Sequence, residues 1–124
     1  MIAPVLSVRN LTVRIGNIVP VLGLSFDINA GEVLGIVGES GSGKSLTLRA
    51  ILRLLPRIAQ TSGNIFWQGR DLTRLAEPEL RAVRGGEIAI VFQEPMTALD
   101  PVLTIGRQIT ESLAEHLGLS LIHI

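Results

Sequence analysis

The residues with the clearest chemistry are Gly38-Glu39-Ser40-Gly41-Ser42-Gly43-Lys44-Ser45. Two glycines with four residues between them, followed by lysine and a hydroxyl residue, fit the phosphate-binding pattern G-x-x-x-x-G-K-[ST] at every fixed position. The glycines allow backbone conformations that a Cβ forbids, so successive N–H groups can turn toward one anion. That anion would also lie at the start of the following helix, where unpaired N–H groups and the helix dipole favour negative charge. Lys44 would reach the β- and γ-phosphates, and the Ser45 hydroxyl would ligate Mg²⁺. Lys44 is the only lysine in the chain, the other ten basic residues being arginine. The spacing predicts binding of a nucleoside triphosphate.

Such a loop needs a strand before it and a helix after it. Glu32–Val37 is a short, mostly apolar run, as a strand buried on both faces would be. Leu48, Ile51, Leu52 and Leu55 recur at helical spacing, and Pro56 closes the pattern. Elsewhere, Leu6–Ile15 and Val21–Ile28 read as strands joined through Gly16-Asn17, and Asn64–Gly69 as a short strand after a loop at Pro56–Gly63. Pro78–Val83 suggests one or two helical turns, and Glu87–Phe92 a second core strand. Thr104 is placed to cap a helix carrying Ile105, Ile109, Leu113 and Leu117.

Composition narrows the classes. A chain of 124 residues with 47% apolar and only 3% aromatic residues can build one aliphatic core. Net charge is zero, which gives no electrostatic case for nucleic acid as the partner. Without cysteine there are no disulfides or thiolate metal sites. No run of eighteen apolar residues spans a membrane, and the N-terminus does not read as a secretory signal.

Val91-Phe92-Gln93-Glu94-Pro95-Met96-Thr97-Ala98-Leu99-Asp100-Pro101, directly after the Glu87–Phe92 run, resembles the Q-loop of ABC transporter ATPases, and most closely that of the oligopeptide, dipeptide and nickel importers. Gly38–Ser45, Ser25-Phe26-Asp27-Ile28 before Gly31-Glu32, and Leu103-Thr104-Ile105-Gly106 are similar to the same subfamily. The resemblance covers about Val5 to Gly118. It implies an α/β fold: the P-loop NTPase core of an ABC ATPase with N-terminal antiparallel β strands. It implies ATP and Mg²⁺ as cofactors, with Gln93 touching Mg²⁺ and the attacking water through its amide oxygen. Implied partners are membrane-spanning permease subunits and a second ATPase subunit, identical or paralogous. The implied location is peripheral, on the cytoplasmic face of the cell membrane.

Two positions depart from the subfamily. An aromatic ring usually stacks on adenine near the end of the first strand, where this chain has Ile15, an apolar side chain without a ring face. Arg107 stands where Glu often completes a capping box with the residue at 104, which costs the reciprocal bond and opposes the helix dipole. The Leu-Ser-Gly-Gly-Gln signature, the Asp-Glu strand end (Walker B) and the switch histidine that the resemblance calls for do not occur in these residues; His116 and His123 read as solvent-facing. The expectation is therefore a fragment truncated before the signature and Walker B motifs, binding ATP without competent hydrolysis. The final six residues can be encoded by CTG TCT CTT ATA CAC ATC, the mosaic end of a transposase-based sequencing adapter. Residues 1–118 are accordingly read as nucleotide-binding domain and 119–124 as a non-native tail. An apolar edge left without its neighbours predicts poor solubility. Alternatives are a cytosolic non-transport ABC ATPase, which would need basic patches, and a module that senses ATP without hydrolysing it. The Gln93–Pro101 string speaks against a small-molecule kinase or GTPase.

Overall fold

The computed structural model describes residues 3–39, 41, 43–91 and 101–108. Its elements are β1 (Leu6–Ile15), β2 (Ile18–Ile28), α1 (Lys44–Ile51), β3 (Ala59–Trp67), β4 (Arg70–Asp71) and α2 (Glu77–Val83). The chain divides into two compact units, Met1–Ala76 and Glu77–Ile124.

The first unit is an antiparallel sheet in the order β2-β1-β3-β4, with α1 against β1 and β2. The expected strand Leu6–Ile15 forms with those bounds, but its apolar residues keep no simple alternation: Leu6, Val8, Leu11 and Val13 are all buried. A bulge at Arg9-Asn10 reconciles them. Asn10 adopts φ 51, the pairing of β1 with both neighbours slips there, and the phase reverses so that all four side chains face the core. The Asn10 N–H donates to Ser25 Oγ at 2.9 Å. Gly63 of β3 lies against the bulge, where a Cβ would fall 2.5 Å from the Asn10 carbonyl oxygen and 2.6 Å from that of Arg9. Ile65, Leu72, Val21, Ala50, Ile51 and Leu52 complete the buried aliphatic set, each full burial contributing roughly 1.5–3 kcal/mol for the larger side chains.

Three expectations about this unit are corrected. Strand β3 starts at Ala59, within the stretch expected to be loop, and pairs with the second half of β1 from Ile15↔Ala59 onward. Gln60, Thr61 and Ser62 are exposed, so no apolar period marks the strand; it forms by satisfying the backbone of β1. Helix α1 ends at Ile51, not near Leu55. Arg53 takes φ 55, its N–H donates to the Ala50 carbonyl (3.1 Å), and the Leu54 N–H donates to that of Arg49 (2.9 Å). This Schellman closure stops the helix, and the Arg53 guanidinium is held by the Leu75 carbonyl at 2.6 Å. The buried face of α1 is Thr47, Ala50 and Ile51, whereas Leu48 is 47% exposed. Finally, Glu32–Val37 is not a strand: Val33 is 95% and Val37 94% exposed. Among the described residues nothing pairs with this segment, and an apolar run becomes a buried parallel strand only where neighbours cover both its edges and faces.

In the second unit α2 forms as expected, burying Leu80 and Val83, with Glu77 and Glu79 in its first turn where the dipole favours them. Arg84 Nη1 donates to Glu77 Oε1 at 2.7 Å. The run expected as a strand over Glu87–Phe92 is reduced to one parallel bridge, Arg84↔Ile88, followed by residues without secondary structure to Val91. The chain turns too tightly there: Glu87 and Ile88 both donate to the Val83 carbonyl at 2.9 Å. Thr104 caps as expected, its Oγ1 accepting from the Arg107 N–H at 3.2 Å and its carbonyl from Gln108 N–H at 3.2 Å. The rest of the stretch expected to be helical, and residues 119–124, lie outside the described residues.

Candidate phosphate-binding site

The site begins where the uncovered run ends. From Glu32 to Glu39 the chain has no regular structure; Gly41 then takes φ 83 and Gly43 φ 93, and α1 starts at Lys44. The first bond of the helix runs from the Thr47 N–H to the Gly43 carbonyl at 2.9 Å. The N–H groups of residues 44–46 therefore have no acceptor within the helix, and no acidic side chain occupies its first turn. Gly43 itself makes no side-chain cap. These are the conditions under which a helix start attracts an anion.

Lys44 ties the loop together. Its Nζ donates to the Glu39 carbonyl at 3.0 Å and to the Gly38 carbonyl as well, so the ammonium bridges the first two loop residues from the first residue of the helix. A positive charge thus sits against the same loop whose helix start offers N–H groups. Ser45 is exposed, with its hydroxyl on the first turn and open to a ligand. Thr47, 3% exposed, is buried without penalty because its Oγ1 donates to the Gly43 carbonyl at 2.9 Å.

Gly43 is where loop and sheet meet. It is buried, and a methyl group at its Cα would lie 2.6 Å from the Pro20 carbonyl oxygen and 3.0 Å from Val21 Cγ2. Only a residue with no side chain fits, and only glycine takes φ 93 without strain. The contact with β2 is not visible in the sequence, since residues 20 and 43 are distant and Val21 reads merely as one strand position.

Of the residues singled out from sequence, Gly38, Glu39, Gly41, Gly43, Lys44 and Ser45 are gathered at one loop and helix start. Ser40, Ser42 and Gln93 fall outside the described residues. Ile15 closes β1 opposite Ile18 and Ala59. Among the described residues, no group of three or more His, Cys, Asp or Glu side chains could hold a metal ion. No helix among them is long and apolar enough to cross a membrane.

Away from the loop, two carboxylates are perturbed. The Asp27 carboxyl is held below its ordinary value by hydrogen bonds from Arg9 and Ser7, the Arg9 ion pair closing to 2.7 Å. For Asp71 burial acts upward, but hydrogen bonds from Thr73 and Asn64 and the charge of Arg74 bring the balance below the ordinary value. Both groups brace strands, Asp27 tying β2 to β1 and Asp71 tying β4 to β3.

The family model described as ABC transporter matches residues 21–121. The chain is 47% identical over 122 residues to the dipeptide transport ATP-binding protein DppD of Bacillus subtilis, covering 94% of this chain and 36% of that protein. It is 47% identical over 103 residues to the oligopeptide transport ATP-binding protein OppD of the same organism, covering 82% and 29%. Against a probable peptide ABC transporter ATP-binding protein of Sinorhizobium fredii, y4tR, identity is 53% over 96 residues, covering 76% and 29%. The chain spans about a third of the length of these curated relatives.

Proposed function

The chain belongs to the ABC transporter family, and from that premise we propose that it is the N-terminal part of an ATPase subunit that energises import of peptides or nickel. The observation that carries this reading is the loop Gly38–Ser45, whose residues Gly38 and Glu39 Lys44 bridges, at the start of α1 where the N–H groups of residues 44–46 have no acceptor within the helix. A triphosphate placed there would meet the N–H groups of residues 44–46 and the Lys44 ammonium. Charge-assisted bonds of this kind contribute about 1.5–3 kcal/mol each.

Mg²⁺ fits the donor set as a metal that arrives with its nucleotide. It takes one or two protein oxygens and completes its shell with phosphate and water. Ser45 supplies the exposed hydroxyl, and Gln93 is the proposed second oxygen. When bound, the metal would neutralise charge on the phosphates. The dipeptide and oligopeptide names of the relatives support peptide as the cargo. Permease subunits and a second ATPase subunit are the proposed partners, on the cytoplasmic face of the membrane. A polypeptide of these 124 residues alone is proposed to bind ATP without turning it over, because the signature and Asp-Glu residues assigned to hydrolysis in this family are not among them.

Lys44→Ala tests the reading. Equilibrium titration with labelled ATP should show affinity falling at least about tenfold, the equivalent of one charge-assisted bond. Equal affinity in mutant and wild type would make the phosphate-loop assignment wrong.

A further inference from the structure

The contact between Gly43 and β2 gives the phosphate loop a support that none of its own residues supplies. α1 and its loop touch the sheet at β1 and β2. At the point where the loop becomes helix, the nearest atoms to a methyl on Gly43 are Pro20 O, Val21 Cγ2 and the Pro20 carbonyl carbon, at 2.6, 3.0 and 3.3 Å. Gly43 carries φ 93 and accepts both the N–H and the Oγ1 hydrogen bond of Thr47. The direction of the N–H groups at residues 44–46 therefore depends on where that carbonyl and its residue rest. Val21 is buried, and its β-branch points one methyl into the space a side chain at 43 would take. The pairing of β2 with β1 contributes to this geometry. Val13↔Val21 and Ile15↔Ile18 leave one extra residue in β2, an irregularity just before the contact.

We propose that Val21 is a positioning residue of the nucleotide site, its Cγ2 methyl holding Gly43 so that the first turn of α1 presents its N–H groups to the phosphates. The inference rests on the nucleotide-binding reading above. It concerns the branch of the side chain, not its bulk, and that distinction makes it testable. Isoleucine keeps both γ-carbon branches on Cβ; leucine, its isomer, has only one. Val21→Ile and Val21→Leu add the same volume to the core, so they share the overpacking cost and differ at the atom facing Gly43.

The control is Val13, fully buried in the same sheet and the cross-strand partner of Val21. None of the three atoms nearest the methyl position at Gly43 belongs to it. Kd for Mg-ATP would be measured for both pairs in the full chain, at matched folded fraction determined by circular dichroism, with Lys44→Ala alongside. The expected result is that Val21→Leu binds about tenfold more weakly than Val21→Ile, the equivalent of one charge-assisted bond lost at the first turn of α1. Val13→Leu and Val13→Ile should bind alike. Equal leucine-to-isoleucine ratios at the two positions, with Lys44→Ala still impaired, would overturn the positioning role while leaving nucleotide binding intact. Undiminished binding by Lys44→Ala would remove the nucleotide site itself, and the positioning role with it.

Discussion

Gly63→Ala tests whether the sheet beneath the phosphate loop is built around the bulge of β1. The substitution has two costs. At φ 98 any side chain is strained, which amounts to about 1–2 kcal/mol. The new Cβ would also lie 2.5 Å from Asn10 O, 2.6 Å from Arg9 O and 2.7 Å from the Asn10 carbonyl carbon. These are backbone atoms and cannot rotate aside, so β1 or β3 must shift, at about 1–3 kcal/mol as for overpacked cores. Gly69→Ala isolates the first cost, because Gly69 has φ 82 and nothing within 4 Å of its Cβ position. Unfolding in urea can be followed by the fluorescence of Trp67, the only tryptophan and itself in β3, at submicromolar concentration where association of the uncovered Val33–Val37 run is slow. With a slope of about 1–3 kcal/mol per molar urea, the Gly63→Ala midpoint should fall roughly 1 M below that of Gly69→Ala. Coincident midpoints would refute the packed bulge. A wild-type chain with no cooperative transition would refute it equally.

Two further outcomes are expected. Because the folded Asp27 carboxyl sits below its ordinary 3.8, its ion pair and hydrogen bonds contribute stability that is fully present above that value and lost as pH falls through the lower folded one. Urea midpoints at pH 7 and pH 3 should therefore differ less in Asp27→Asn than in wild type, and an unchanged difference would remove Asp27 from the account. Thr47→Val keeps the shape of a buried side chain but deletes the 2.9 Å bond from Oγ1 to the Gly43 carbonyl. It should cost about 0.5–1.5 kcal/mol in the same urea titration, and a more stable variant would contradict the assigned bond.

The family was legible from residue types at fixed spacing, and the proposed phosphate loop rests on the same kind of pattern, because the chemistry of a triphosphate demands glycine, lysine and hydroxyl in that order and at that distance. Strand β1, the hairpin turn, α2 and the Thr104 cap were legible for a similar reason: each is specified by interactions within a few residues. Two of the expectations that failed turn on a remote partner. Polar Gln60–Ser62 joined a strand because β1 needed a neighbour, and the apolar Val33–Val37 run stayed outside any sheet because none of the described residues pairs with it. Leu48 looked like core and is exposed, while Thr47 looked polar and is buried on a bond to Gly43.

Local sequence thus determined the pattern Gly38–Ser45, from which phosphate binding is proposed. Tertiary structure decided what lies against that loop. The bulge at Arg9-Asn10 sets the phase of β1, β1 sets the register of β2, and β2 brings Pro20 and Val21 against Gly43. No residue within reach of the loop in sequence encodes that contact. Side-chain periodicity names a face, but only the paired backbones settle which residue of another element lies across it.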